Sequence, residues 1–259
     1  MKNKKIIIIL LIIFIVLVGS LFYKYKFNVF NKKTNEDIPV INLDKEYEEE
    51  NIEIIYQDKI NSLKEEYDNQ DIVGILSVEN SDFNEIIVQT TDNDYYLEHS
   101  ITHQSDWRGH AFLDYRLNIN ESKKLLIYGH NSTKNYVPFK FFENYYDSDF
   151  FKEHKYIYLQ TDSELKKYEI FSVYIEVSDW SYFTKIKFST NESYYKHILE
   201  LKNKSLYDTG VNINKDDEVL ILQTCSYHKD YSNYEDRFLL VIGKRVWYFN
   251  INFKTLIKF

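Results

Sequence analysis

The chain contains one cysteine, two prolines, six glycines and one methionine in 259 residues. A single cysteine excludes an intramolecular disulfide and any zinc site built on paired thiolates. With so little proline and glycine, turns must be made mainly by Asn, Asp and Ser. Basic surface is scarce as well. The formal net charge is −8, and five of the lysines fall in residues 1–31, where there is no acid. The remainder is more acidic still, which argues against nucleic acid as a partner, because phosphate binding needs a basic face. The sequence shows no internal repeat and no low-complexity tract.

Large apolar side chains are abundant: 24 Tyr, 18 Phe and 44% hydrophobic residues. That is ample for one domain of ordinary size with appendages. Ile6–Phe22 is an almost unbroken apolar run, flanked by lysines on both sides and followed by Tyr23 and Tyr25. Its 17 residues, at 1.5 Å rise, approach the thickness of a bilayer core. Bulky Leu21 and Phe22 after Gly19-Ser20 do not fit a small-residue cleavage site. The expectation is a cytoplasmic tail at 1–5, an uncleaved membrane-spanning signal-anchor at 6–23 and a linker at 24–43, with the rest of the chain outside the cell.

Residues 44–71 read as a helix. Ile52, Tyr56, Ile60, Leu63 and Tyr67 form one stripe, and the opposite face is acidic and solvated. From Ile72 the pattern changes to short β-branched and aromatic runs separated by Asn/Asp-rich turns. Strands are predicted at 72–78, 85–89, 109–112, 124–128, 156–161, 167–177, 218–224 and 237–249. Helices are predicted at 139–153 and 189–207, the second opening on Ser-Thr-Asn-Glu, an N-cap with an acid in its first turn. The fold class is mostly β with peripheral helices: an eight-stranded, closed or nearly closed β-barrel domain at 72–250, with a C-terminal tail at 251–259.

The lone cysteine ends one of these runs, Glu218-Val-Leu-Ile-Leu-Gln-Thr-Cys225. A free cysteine is commonly a small core residue. Its position at the end of a buried strand fits a presented nucleophile instead. His130 ends another buried run, Leu125-Leu-Ile-Tyr-Gly129, and Arg237 begins the strand after Cys225. An imidazole beside a thiol serves as proton acceptor and donor. A guanidinium beside it stabilises an oxyanion and lowers the thiol's pKa. Tyr128, Thr224 and Ser226 adjoin these three and are candidates for substrate contact. The remaining histidines sit in polar, turn-like contexts, and His99 and His103 lack the carboxylate that a zincin helix needs. No metal site is expected. Ser163-Glu-Leu-Lys166 matches a penicillin-type motif, but the partner motifs are missing.

Taken together, Phe112-Leu-Asp-Tyr-Arg116, Tyr128-Gly-His-Asn131, Leu222-Gln-Thr-Cys225, Arg237 and Val241-Ile-Gly-Lys-Arg245 resemble the sortases, most closely those of class B. Asp147–Lys152 and Ser205-Leu-Tyr207 look like the clostridial branch. The likeness runs in consistent order over about residues 44–248. It implies a sortase-type barrel and a cysteine transpeptidase without cofactors. Such an enzyme cleaves a C-terminal sorting signal after Thr through a thioester and joins the protein to an amino group of peptidoglycan. Cys225 would be nucleophile, His130 proton carrier and Arg237 oxyanion stabiliser. Departures from the class pattern are Gln223 before Thr-Cys, Ser132 after Gly-His-Asn, a long Ser226–Asp236 loop and the extension after Trp247. A pilin-polymerising sortase and a non-catalytic, membrane-tethered binding module are the alternative readings.

Overall fold

The computed structural model describes residues 49–177 and 179–247, with side chains from residue 55 onward. The predicted tail, anchor, linker and C-terminal tail lie outside the described residues. Among the described residues no helix is long and apolar enough to cross a membrane.

Helix α1 spans Glu49–Tyr67. Tyr56, Ile60 and Leu63 of the predicted stripe are buried, and Ile60 and Leu63 pack with Ile72, Ile75, Val88, Tyr96 and Phe112. Eight strands follow: β1 Ile72–Val78, β2 Asn84–Val88, β3 Phe112–Leu113, β4 Lys124–Tyr128, β5 Tyr156–Gln160, β6 Leu165–Glu176, β7 Val219–Cys225 and β8 Phe238–Val246. They form a closed barrel in the order β1-β2-β3-β4-β7-β8-β6-β5. Closure removes the exposed edges that an open sheet would leave. Neighbours are antiparallel except β2/β3 and β4/β7, which run parallel. Parallel neighbours need a crossover, and the chain between β4 and β7 supplies it with β5, β6 and the helices around them.

All eight predicted strands are present; 72–78 and 124–128 keep their predicted ends and the other six are shifted. The run expected from Gly109 shrinks to two residues because Gly109 adopts φ 58°, which no extended strand allows. The helix expected over 139–153 is divided. Pro138–Tyr146 is a 3-10 turn, and α2 covers only Ser148–Glu153. Extended Asp147 separates them, and its carboxylate accepts the Asp149 N–H as the N-cap of α2. A short helix α3, Trp180–Phe183, lies inside the β6–β7 connection. It is followed by α4, Asn191–Asn203, whose N-terminus is closed by a reciprocal Thr190–Ser193 capping box.

The β6–β7 connection is fastened to the barrel by buried polar contacts. Lys124 of β4 donates from Nζ to the Phe183 and Lys185 carbonyls, at 2.6 and 2.7 Å, and lies 3.0 Å from His197 Nε2. Burial, then the neighbouring Arg116 cation, pulls the Lys124 ammonium down to about 7. Burial and the same lysine keep His197 neutral at physiological pH. Arg116 grips the fully buried Asp114 through Nε and Nη2, and its Nη2 also donates to the Thr184 carbonyl. The 183–185 segment is thereby held over one face of β4.

Candidate active site

The parallel pairing of β4 and β7 sets the site. Its register aligns Tyr128 with Gln223, so His130 and Cys225 each lie two residues beyond an aligned pair, at the same edge of the barrel. The pairing continues past the strand: Gly129 N–H donates to the Gln223 carbonyl at 3.1 Å, and the Thr224 hydroxyl donates to the Gly129 carbonyl at 2.7 Å. Because side chains alternate along a strand, Leu126 and Tyr128 of β4 share a face with Ile221, Gln223 and Cys225 of β7. Phe238, which begins β8, is paired with Cys225 and packs against Phe183 of α3, with ring centroids 6.1 Å apart. The thiol face is therefore floored by β4 and β7 and bounded by the α3 segment.

Cys225 is half-buried. Burial pushes its thiol up, Arg237 pulls it down, and Asp236 pushes it up. On balance the thiol lies above its ordinary value. His130 has one ring nitrogen engaged. Its Nε2 lies 2.9 Å from the Leu97 carbonyl. A carbonyl only accepts, so Nε2 carries the hydrogen and Nδ1 of the neutral ring is the proton acceptor. Leu97 comes from a 3-10 turn, Tyr95–Leu97. The turn is anchored by Tyr96, whose hydroxyl donates to Asp71 and accepts from buried Asn69.

Arg237 is tied into the long loop. Its Nε donates to the Ser226 carbonyl at 2.7 Å, and Nη1 donates to the carbonyls of Tyr231, Ser232 and Tyr234 at 3.4, 3.2 and 2.6 Å. The loop thus folds around the guanidinium and leaves Nη2 without a partner among the described residues. This arrangement places a thiol, an imidazole and a guanidinium at one barrel edge, groups that acyl transfer can use.

The three adjoining candidates are placed differently. Tyr128 shares the thiol face, but its hydroxyl donates to Asp114 at 2.9 Å, so it offers its ring. Thr224 and Ser226 turn to the opposite face. Both are 1% exposed, the first bonded to Gly129 and the second to the Tyr146 hydroxyl at 2.8 Å. Both hydroxyls are already engaged within the fold. Gln223, not Thr224, faces the thiol side, with a half-exposed carboxamide. An open cavity of about 660 Å³ lined by Tyr146, Tyr207, His228 and Tyr231 includes none of the three catalytic candidates. His99 and His103 both engage Tyr95, and no cluster of metal-ligating residues occurs among the described residues.

Gly109 supports this site from behind. With φ 58°, a Cβ there would lie 2.3 Å from the Tyr96 carbonyl oxygen, 2.8 Å from that of Leu97 and 3.0 Å from His130 Cδ2. Gly109→Ala is expected to cost about 1–3 kcal/mol and also to lower turnover, because the displaced atoms hold the imidazole. Thr190→Ala, which removes a cap far from the thiol in sequence, should cost about 1 kcal/mol and leave turnover unchanged. Thermal melts beside initial rates check both; equal rates in the two variants would separate Gly109 from the chemistry.

A model of the sortase domain matches residues 76–246. The chain is 32% identical to sortase B of Listeria monocytogenes over 180 residues, covering 69% of this chain and 71% of that protein. It is 29% identical to sortase B of Staphylococcus aureus over 163 residues, or 61% of this chain and 64% of that protein. A crystal structure of a cysteine-to-serine mutant of Clostridium perfringens sortase B superimposes with a TM-score of 0.66 at 29% identity, covering 74% of this chain and 90% of that one. The chain belongs to the sortase family, in its class B. It is a cysteine transpeptidase of the kind that attaches proteins to the cell wall, and its barrel is the sortase fold.

Proposed function

We propose that this chain is held in the membrane by residues 6–23 with its barrel outside the cell, and that it transfers secreted proteins from a C-terminal sorting signal to an amino group of peptidoglycan. The observation that carries the reading is the shared barrel edge of Cys225, His130 and Arg237, with His130 Nδ1 left open by the Leu97 hydrogen bond. Sγ of Cys225 attacks the carbonyl of the signal's threonine and passes its proton to His130 Nδ1. Arg237 Nη2 donates to the oxygen that becomes negative. Collapse breaks the peptide bond, and His130 returns the proton to the departing amine. The thioester is then attacked by the acceptor amine, which gives a proton to His130, and the thiol leaves and regains it. One amide is exchanged for another through two acyl transfers, so bond energy is conserved. Tyr128 and Gln223 floor the groove in which the signal is read, and the α3 segment walls it.

The test incubates the full chain, solubilised in detergent, with a panel of fluorogenic sorting-signal peptides and an amine acceptor. Cleavage, ligated product and a trapped thioester on Cys225 are the expected results. Absence of turnover across the panel, with no thioester by mass spectrometry, refutes the reading. The membrane assignment is tested separately by fractionating cells that express the full chain and the chain without residues 6–23. Only the first should sediment with membranes.

The thiol's environment adds a pH prediction. Alkylation by iodoacetamide follows the thiolate, so its rate should rise with pH to a midpoint above that of an unperturbed cysteine, about 8.5. Arg237→Leu removes the influence that favours the thiolate and should move the midpoint up. Asp236→Asn removes an opposing one and should move it down. Shifts in the reverse directions would contradict this account of the charges around the thiol.

A further inference from the structure

Beyond the three catalytic groups, Asn131 makes a direct side-chain link from the residue after His130 to the Cys225 backbone. It is 6% exposed. Its Nδ2 donates to the Cys225 carbonyl and to Glu143 Oε1, each at 2.8 Å. Its Oδ1 accepts the Ser132 N–H at 2.7 Å. Every hydrogen-bonding position that fixes the carboxamide's sense is used: turned over, its oxygen would face two acceptors. The backbone pairing of β4 with β7 ends at Gly129 N–H on the Gln223 carbonyl, and this side chain takes over beyond it. His130 is therefore bracketed, with Gly129 bonded to β7 on one side and Asn131 bonded to Cys225 itself on the other. The same 3-10 turn that supplies Glu143 supplies Tyr146, whose hydroxyl meets Ser226. Cys225 is thus braced at its own carbonyl and at the next residue.

We infer that Asn131 is a positioning residue for acyl transfer. By holding the main-chain carbonyl of Cys225 to the residue after His130, it fixes the thiol relative to the imidazole, and Glu143 fixes Asn131. The inference rests on the transpeptidase reading, because only proton transfer between Cys225 and His130 gives that geometry a use. Such transfer is steep in distance: a displacement of about 1 Å costs on the order of a hundredfold in rate.

The experiment compares the full wild-type chain with Asn131→Asp and with the double variant Asn131→Asp, Glu143→Gln. The introduced carboxylate has no N–H to give, so the single variant loses both links. In the double variant the new carboxamide at position 143 donates to the new carboxylate at position 131. That restores the link between the two positions, but the Cys225 carbonyl still lacks its donor. Three readouts are taken: melting temperature, single-turnover thioester formation with a sorting-signal peptide, and iodoacetamide alkylation of Cys225, which needs no imidazole. Asn131→Asp should form thioester about a hundredfold more slowly, with KM and the limiting alkylation rate at high pH, where the thiol is fully ionised, within about twofold of wild type. The double variant should regain melting temperature and stay slow. Recovery of thioester formation together with melting temperature would make Asn131 merely structural and overturn the inference. A parallel fall in alkylation, or a loss confined to KM, would overturn it as well. If Asn131→Asp fails to fold, the double variant alone decides. Absence of thioester in the wild type refutes the transpeptidase reading, whereas unimpaired variants beside an active wild type refute only the role of Asn131.

Discussion

Cys225→Ala abolishes thioester formation and lowers ligation by about 10⁴-fold or more, the scale seen when a covalent nucleophile is removed from a site whose other groups remain. Alanine occupies the same strand end but has no atom that bonds to a carbonyl. The groups proposed to bind are unchanged: Tyr128 and Gln223 keep their places on the thiol face, and Arg237 keeps its loop. Affinity for a sorting-signal peptide, measured by fluorescence anisotropy, should therefore stay within a few-fold of wild type while turnover disappears. His130→Ala should fall less, by about 10²–10⁴-fold, because water or buffer bases substitute poorly for a held imidazole but do substitute. If Cys225→Ala retained more than a thousandth of wild-type turnover, the covalent route would be wrong. If it lost peptide affinity in proportion, the thiol would be a binding group and not the nucleophile.

Part of this site is legible in the sequence, and the reasons differ residue by residue. The pattern predicts β4 with its observed bounds, because Lys124–Tyr128 is an apolar run closed by polar turns on both sides. It displaces β7 by one residue at each end. Cys225, His130 and Arg237 are recognisable because each stands where a buried run meets a polar loop. Their meeting depends on strand order, and local pattern does not say that β7 lies between β4 and β8. Thr224 and Ser226 follow from adjacency in sequence, but the pleat sends every second side chain to the other face. The same alternation, applied to β7, selects Gln223. The Leu97 carbonyl leaves no trace in residue type, since any residue has one. Glu143 sits in a turn that lacks the helical period expected of it, and the α3 helix is too short for periodicity to register. Asn131 is visible as part of a motif, but its contact with the Cys225 carbonyl spans 94 positions of sequence.

Arg237→Lys should lose about 10²–10³-fold in kcat/KM, the cost of removing one oxyanion donor, and so behave nearly like Arg237→Ala. The reason is the division of labour on the guanidinium. Nε and Nη1 hold four loop carbonyls, those of Ser226, Tyr231, Ser232 and Tyr234. Nη2 alone is left for the substrate. An ammonium on a flexible stem has no fixed fork; if it reaches the substrate oxygen it releases the loop, and if it holds the loop it abandons the oxygen. Lysine does keep the positive charge beside the thiol. The alkylation midpoint of Cys225 should therefore stay near the wild-type value in Arg237→Lys, although it rises in Arg237→Leu. Amide hydrogen exchange should quicken across residues 228–234 in both variants. A lysine variant with more than a tenth of wild-type kcat/KM would show that charge alone suffices. A lysine variant with a raised midpoint and slow turnover would show that the charge, not the fork, had been lost. Retained thiol chemistry with collapsed acyl transfer and a loosened loop is the outcome that assigns the fork geometry to catalysis, and it explains why so long a loop can follow the nucleophile without leaving the oxyanion donor adrift.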